Sequence, residues 1–263
     1  MSASYWDTTR QLLRSSYHVW YRNLLVFRKN IKVNSLPPFV EPLLYLGAIG
    51  FGIGTYVGEV DGISFVRFIA PAILAASVMN ASFFECAYGT YVRMYYGKSF
   101  EAMMATPISL REIILGEILW GATRGLISAG AILLVLSLLG LADLPQSLII
   151  LPLAFLAGFL FSAIAACFSA VTPSIDALSY PSLLYIAPMF LFSGTFFPLS
   201  LLPESLQIFA LVALPLTHVV ALTRGIMVGG AMPLWPLNLA WIIIGMIVAA
   251  YIAIRLFERR LIV

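Results

Sequence analysis

The chain has 263 residues, of which 61% are hydrophobic and only 10% are charged, and its mean hydropathy is +0.98. A soluble domain carries about 25% charged residues, so this composition excludes a soluble protein and predicts an all-α polytopic membrane protein. The net charge of +3 is too small to indicate nucleic-acid binding. We therefore expect membrane lipid, and no nucleic acid, around the chain.

Residues 1–35 are predicted to form an amphipathic helix on the cytosolic surface of the membrane, and residues 36–263 to form the membrane domain. The first 35 residues carry six Lys or Arg residues and no continuous apolar segment, so we expect no cleavable signal sequence. The apolar residues follow a 4-3-4-3-4 helical spacing: Leu13, Tyr17, Trp20, Leu24, Phe27 and Ile31. A cationic helix with Trp and Phe on one face suits a membrane interface.

Six apolar runs approach the roughly 20 residues that a helix needs to cross a bilayer. They predict six transmembrane helices, at residues 38–57, 66–90, 113–139, 148–171, 179–197 and 237–257. Most Lys and Arg residues lie before the first span, between the second and third, or after the last. Because cytosolic loops are enriched in Lys and Arg, both termini are predicted to be cytosolic in a multi-pass protein of the cytoplasmic (inner) membrane.

The apolar segment 198–218 precedes the last span and is interrupted by Pro198, Pro203 and Pro215. Proline breaks a helix interior, and a seventh crossing would place the Arg-rich C-terminus outside. The segment is therefore predicted to be a re-entrant hairpin that enters from the outer side, covered by other parts of the protein.

The loop between the second and third spans contains Gly97, Lys98 and Ser99, which match the end of a phosphate-binding loop. That motif also needs a glycine at position 92, which is Val92, and a preceding buried strand. We therefore expect no nucleotide site and no catalytic residue on this chain, and energy must come from a partner or from an ion gradient.

The same loop is predicted to form a two-turn helix with Phe100, Met103 and Met104 on one face, Glu101 beside them and Lys98 at its start. Methionine suits an adaptable contact surface. The residues alone fit two interpretations equally, a docking surface for another protein and a loop helix lying on the membrane.

Both boundaries of this loop helix carry a sequence signal. Pro107 is expected to end it, since the residue before a proline disfavours helical geometry. Ser109 and Glu112 form a capping-box pattern that opens the third span.

Glu85, Glu117 and Arg124 are predicted to lie at or near membrane depth. Ionisable residues there are costly and usually face a partner or water. Glu117, Gly121 and Arg124 share one helical face, which either lines a route for polar headgroups or forms an ion pair such as Arg124 with Glu85. No Cys or His cluster indicates a metal site, and no spacing of His, Asp or Ser indicates a membrane-embedded enzyme.

Glycines and aromatic residues recur along the first and fifth spans. Gly50, Gly54 and Gly58 are four residues apart, and small residues allow helices to approach closely, either within one chain or between two copies. The aromatic residues either line an amphipathic route or face lipid. The candidates for a substrate pathway or dimer boundary are Tyr45, Gly50, Phe51, Gly54, Tyr185, Phe192 and Phe196.

The residue types and their spacing around this loop resemble those in the permeases of type-2 ABC exporters. The matching residues are Arg93, Gly97, Glu101, Thr106, Pro107, Ser109, Glu112, Gly116 and Glu117. Further matches are "EPLLYLGAIGFGIG", "FSAIAACFSAVTPSID", "FLFSGTFFPLSLLP" and "LPLTHVVALTRGIMVG". The resemblance covers nearly the whole chain and is greatest to lipo-oligosaccharide (nodulation-factor) export permeases.

This resemblance implies a permease subunit whose loop helix docks in a groove of a separate ABC ATPase. It further implies two ATPase subunits that hold ATP and magnesium, two permease copies, expected to form a homodimer, and a re-entrant hairpin before the last span. The expected substrate is a lipo-oligosaccharide, glycolipid or lipid-linked saccharide exported from the cytosol or inner leaflet. The alternatives are a permease for drugs or other hydrophobic small molecules, a secondary transporter and a membrane-embedded enzyme.

Overall fold

The computed structural model describes residues 5–31, 37–60, 62–229 and 234–261, without the side chains of residues 5–10, 37–39, 41–42 and 51. The predicted N-terminal segment 1–35 therefore lies partly outside the described residues, as does the side chain of Phe51.

The described chain consists of helices and one two-residue strand pair. The elements of the first half are α1 (Tyr5–Lys29), α2 (Pro37–Gly47, continued by a π-helical turn Ala48–Ile53 and by Gly54–Val57), β1 (Glu59–Val60), antiparallel to β2 (Ile63–Ser64), α3 (Phe65–Tyr95, with a π-helical turn Glu85–Gly89), α4 (Ser99–Met104) and α5 (Leu110–Leu138). Those of the second half are α6 (Leu144–Val171), the 3₁₀ turn Asp176–Leu178, α7 (Ser179–Pro181, π-helical Ser182–Ile186 and Ala187–Phe192), the 3₁₀ turn Leu199–Leu201, α8 (Glu204–Ala213), α9 (Pro215–Val228) and α10 (Trp235–Leu261).

Four helices of the described residues are long and apolar enough to cross a membrane: α3, α5, α6 and α10. They correspond to the predicted spans 66–90, 113–139, 148–171 and 237–257, so the all-α polytopic class is confirmed. The predicted first span, 38–57, is helical but contains the π-helical turn Ala48–Ile53. The predicted fifth span, 179–197, is too long, because helix α7 ends at Phe192 and Gly194 turns the chain with a φ of 74°.

The segment predicted as a hairpin is occupied by helices α8 and α9, which are bent by 92° relative to each other. Pro215 opens the second of these helices, at a position where its missing N–H costs nothing. This new helix continues to Val228, ten residues beyond the predicted end of the hairpin at His218. The His218 ring stacks on Trp241 at 4.7 Å, and its Nδ1 lies 2.9 Å from Oδ1 of Asn238. These contacts fasten α9 to α10.

Small residues let the central helix α5 approach its neighbours closely. A Cβ placed on Gly121 or on Gly125 would collide with the Ser162 or Ser82 hydroxyl group, respectively. On the other side, a Cβ on Gly116 would lie 2.5 Å from Cβ of Val19 and 2.8 Å from the carbonyl oxygen of Ser16. Helix α1 therefore packs directly on α5.

This packing corrects the predicted orientation of α1. The face buried against the protein contains Ser16, Val19, Asn23 and Phe27, whereas Leu13 is 61% exposed. The predicted apolar stripe is therefore only partly buried. Helix α1 turns a more polar face toward α5, because Gly116 leaves space for Val19 and Glu117 accepts a hydrogen bond from Asn23. Apolar side chains remain on the exposed side: Leu13, Tyr17, Leu25, Val26 and Ile31.

Replacing Gly116 with alanine is expected to loosen α1, since the new methyl group overlaps the α1 backbone. Overpacking of this kind costs about 1–3 kcal/mol of the free energy of unfolding. Limited trypsin digestion of the purified protein should cut faster at the α1 arginines. Gly130→Ala is the matched control, because a Cβ on Gly130 meets nothing within 4 Å on the same helix. Equal digestion of the two variants would contradict the close contact.

Candidate functional site

A buried carboxylate joins three helices at the end of the bundle that carries loop helix α4. Glu117 of α5 is 1% exposed. Its Oε2 accepts hydrogen bonds from Nε of Arg93 at 2.8 Å and from Oγ1 of Thr90 at 3.2 Å, both on α3. Its Oε1 accepts from Nδ2 of Asn23 at 3.0 Å and from Nη2 of Arg22 at 3.3 Å, both on α1. One side chain thus fixes the positions of α1, α3 and α5.

A second carboxylate extends this cluster. Oε1 of Glu85 accepts hydrogen bonds from Nη1 of Arg93 and from Nε1 of Trp120, both at 2.9 Å. Its Oε2 lies 3.3 Å from Nε of Arg124. Arg93 therefore lies between two carboxylates, and the predicted pair of Glu85 with Arg124 is present as part of a larger network.

The π-helical turn Glu85–Gly89 shapes the network. Such turns insert an extra residue into a helix and are frequent at functional sites. Gly89 supplies the necessary space, because a Cβ there would lie 2.9 Å from Oε1 of Glu85 and 3.0 Å from Nη1 of Arg93. Any larger residue would push apart the ion pair that crosses it.

The cluster has an excess of positive charge. The guanidinium groups of Arg22, Arg93 and Arg124 face the carboxylates of Glu85 and Glu117, which leaves a net charge of +1. Burial lowers the pKa of Arg22 while Glu117 raises it, and an arginine remains protonated in either case.

Loop helix α4 is present where the sequence predicts it. It ends at Met104, before Pro107, and the Ser109 backbone N–H donates to Oε2 of Glu112 at 2.6 Å. Both predicted boundary signals are therefore confirmed. Lys98 at its start has a φ of 46°, a left-handed geometry that is unfavourable for a side chain with a Cβ.

The predicted apolar contact surface of α4 is wrong in one respect. Phe100 is 1% exposed, and its ring lies 6.1 Å from that of Phe257 on α10. It anchors the helix to its own chain because the aromatic ring gains more by joining the core than by facing water. The outward surface consists of exposed Lys98 and Glu101 with half-buried Met103 and Met104.

Met103 also connects α4 to the charge cluster. Nη1 of Arg22 lies 3.4 Å from Sδ of Met103, and another nitrogen of the same guanidinium binds Glu117. Arg22 therefore contacts both the loop helix and the buried carboxylate.

Gly50 and Gly54 of α2 face α3 of the same chain, while their predicted place at a dimer boundary stays a prediction. A Cβ on Gly50 would lie 3.2 Å from Cγ2 of Val66, and one on Gly54 would lie 3.4 Å from Cδ1 of Phe65. Both glycines serve the packing of α2 on α3, because the β-branched and aromatic side chains of α3 occupy the space above them.

The predicted aromatic residues fall into two groups. Tyr45 of α2 contacts Phe190 of α7 at 6.0 Å, and Phe190 contacts Phe196 at 5.0 Å. Tyr185 instead faces Phe168 of α6 at 5.8 Å. Phe192 packs half-buried against the core. Among the described side chains, the aromatic residues of α2 and α7 therefore meet at the Tyr45 end.

A cavity of about 160 Å³ lies at this α2–α7 contact. Its lining combines Tyr45, Phe84 and Phe190 with the polar side chains of Ser77 and Asn80. The lining is therefore amphipathic, with aromatic rings beside a hydroxyl and an amide.

Sequence reasoning missed most partners of Glu117. Arg93 is named in the sequence analysis only among the residues that carry the exporter resemblance, and Arg22, Asn23 and Thr90 are not named there. One signal was available, because Glu85 and Arg93 are eight residues apart on one helix and therefore near one face. The contribution of α1 left no such signal, since it depends on tertiary packing.

Four membrane-length helices, with the short helix α4 between two of them, define a polytopic membrane protein. The chain belongs to the ABC-2 type transporter family, whose profile matches residues 15–228. This match confirms the resemblance seen in the sequence. The family implies an ABC ATPase as partner.

The relatives agree with this assignment. The chain is similar to nodulation protein J of Sinorhizobium fredii, with 34% identity over 246 residues that cover 92% of both chains. It is similar to nodulation protein J of Rhizobium meliloti, with 33% identity over 243 residues and the same coverage. The inner membrane transport permease YadH of Escherichia coli is 24% identical over 190 residues, 72% of this chain and 73% of that permease.

Replacing Glu117 with glutamine should destabilise the protein strongly, because two arginines then lose their buried counter-charge. Breaking a buried ion pair by removing one partner costs about 3–5 kcal/mol. Thermal melting of the purified protein in detergent measures the effect. Glu59→Gln, which removes an exposed carboxylate, should melt like the wild type. A Glu117→Gln variant that melts with this control would show that the cluster contributes little.

Proposed function

We propose that two copies of this chain form the membrane pathway of an ATP-driven exporter, each bound to one ABC ATPase subunit. The observation that carries the proposal is loop helix α4, which is anchored to the chain by Phe100 and presents the exposed side chains of Lys98 and Glu101 beside half-buried Met104. One face of α4 is bound to the permease and the other is exposed, which suits a helix through which an ATPase moves the membrane helices. ATP and magnesium belong to that partner.

The proposed orientation places α4 and both termini in the cytosol. Arg93, Lys98 and Arg111 flank α4, and cationic loops favour the cytosolic side. In this orientation α2 and α7 complete six spans, α1 lies along the cytosolic interface of the inner membrane, and the bent pair α8 and α9 re-enters from outside.

Coupling between ATPase and pathway runs through two contacts of α4. Phe100 packs on Phe257 of α10, and Met103 contacts Arg22, which binds the carboxylate of Glu117. Displacement of α4 therefore moves the ends of α1, α5 and α10 together. Rigid packed elements of this kind transmit small shifts over long distances.

The proposed substrate is a lipo-oligosaccharide or a related lipid-linked saccharide. Relatives named nodulation protein J cover 92% of the chain at about one-third identity. The cavity at the α2–α7 contact supports the same class, since Tyr45 and Phe190 offer ring faces and Asn80 offers an amide. A second copy closes the route that one chain leaves open.

Reversing the charge of Glu101 tests the docking surface. Glu101→Lys should weaken co-purification of the ATPase and lower ATP-driven transport by at least about tenfold, since a like-charge contact at an interface costs several kcal/mol and about 1.4 kcal/mol is a factor of ten. Glu204→Lys is the matched control, because Glu204 is exposed on α8, on the other side of the membrane in this orientation. Full assembly of the Glu101→Lys complex would show that α4 is not the docking element.

Transport by reconstituted complex tests the substrate. Tyr45→Ala should lower ATP-driven lipo-oligosaccharide export roughly three- to tenfold, because an aromatic contact contributes about 0.5–1.5 kcal/mol. Tyr56→Ala is the control, since Tyr56 lies on the same segment and is 93% exposed. A complex that moves hydrophobic drugs but not lipo-oligosaccharide would replace this substrate assignment with that of a drug permease.

A further inference from the structure

A cavity of about 450 Å³ opens between α1 and the charge cluster, separate from the aromatic cavity at α2 and α7. Its walls include side chains from α1, α3, α4 and α5. The lining residues are Arg22, Asn23, Val26, Phe27, Glu85, Arg93, Ser99, Trp120 and Arg124.

The charge in this cavity is unbalanced. Three guanidinium groups line it, and one of its two nearby carboxylates, Glu117, is buried beneath the wall and already accepts five polar contacts. An anion in the cavity would therefore meet more positive than negative charge.

Arg124 is the residue whose bonding is incomplete. Its Nε and Nη1 atoms are buried, and neither makes a hydrogen bond to any of the described residues. The Nε–Glu85 separation of 3.3 Å satisfies charge but not hydrogen-bond geometry, and the guanidinium lies 4.6 Å from the centre of the Phe27 ring. Buried donors without acceptors are costly, and an arginine fork matches the oxygens of a phosphate.

The mouth of the cavity is apolar on the α1 side. Val26 lines the cavity and is 56% exposed, and its neighbour Leu25 is 41% exposed. A ligand bound here therefore has an anionic part near Arg22 and Arg124 and a hydrocarbon part along α1. This combination distinguishes a lipid from a free anion.

We propose that this cavity binds a membrane lipid through an anionic phosphate headgroup, held between Arg22 and Arg124, with its acyl chains beside Val26. The headgroup lies against the accessible part of the Arg124 side chain and offsets the positive charge of the cluster. Basic pockets between membrane helices bind anionic headgroups in this manner. The proposal holds whichever molecule the exporter carries, because the site lies apart from the cavity at α2 and α7.

Lipid titration of the full-length chain in detergent, followed by native mass spectrometry, tests the proposal. Arg124→Gln and Arg22→Gln should each weaken phosphatidylglycerol binding by about tenfold, the order of one charge-assisted contact. Arg124→Lys should recover part of the loss. Phosphatidylcholine, which has no net charge, should bind weakly to every form. Arg28→Gln is the matched control, since it removes an exposed arginine from the same helix, and it should bind as the wild type does.

Three results would overturn the site. Unchanged binding in both Arg124→Gln and Arg22→Gln would remove the cavity as the place of binding. An equal loss in Arg28→Gln would indicate general attraction to a basic surface. Full displacement of the lipid by glycerol phosphate would identify a soluble anion as the ligand. Thermal melting accompanies each variant, and Arg22, one-third exposed, carries the test if Arg124→Gln does not fold.

Discussion

The buried carboxylate of Glu117 is the interaction on which the arrangement of this protein depends. An isolated charge in a low-dielectric interior costs several kcal/mol even after relaxation. Glu117 avoids this cost only if Arg93 of α3 and Arg22 of α1 approach from different directions. Any arrangement of these helices that separates the three residues is therefore strongly disfavoured, even if it buries as many apolar side chains.

The residues around Glu117 make this approach possible. Gly116 precedes it and leaves room for α1, since a side chain there would touch the Ser16 backbone. The π-helical turn before Thr90 brings Glu85 and Arg93 to one side of α3. Local backbone features and one electrostatic requirement thus select the same packing, as expected for a sequence that specifies one structure.

The sequence predicted the elements whose signals are local. Four membrane helices followed from hydrophobic length, and the loop helix followed from apolar spacing with Pro107 and the Ser109–Glu112 pattern on its far side. These features need no knowledge of tertiary contacts. The break before α9 was likewise foreseen from the prolines, although its second helix runs on beyond His218.

The sequence did not predict which neighbour each side chain meets. Phe100 has the spacing of an exposed contact residue, yet Phe257, more than 150 positions away, offers a better environment. The spacing of Gly50 and Gly54 does not say which helix they meet, and within the chain their neighbours are Val66 and Phe65. Helix periodicity defines a face of a helix but not its partner.

The distribution of strong and weak contacts limits how the protein can change shape. Moving α1, α3 and α5 apart would expose Glu117 unpaired, so these three helices must move as one body. The side of the bundle with α2 and α7 is built differently, because among the described residues these two helices meet through the rings of Tyr45 and Phe190 and not through an ion pair. For the proposed exporter we therefore expect a motion that begins at the loop helix and keeps the carboxylate paired to be accommodated at α2 and α7, where the cavity lined by Tyr45 and Phe190 lies.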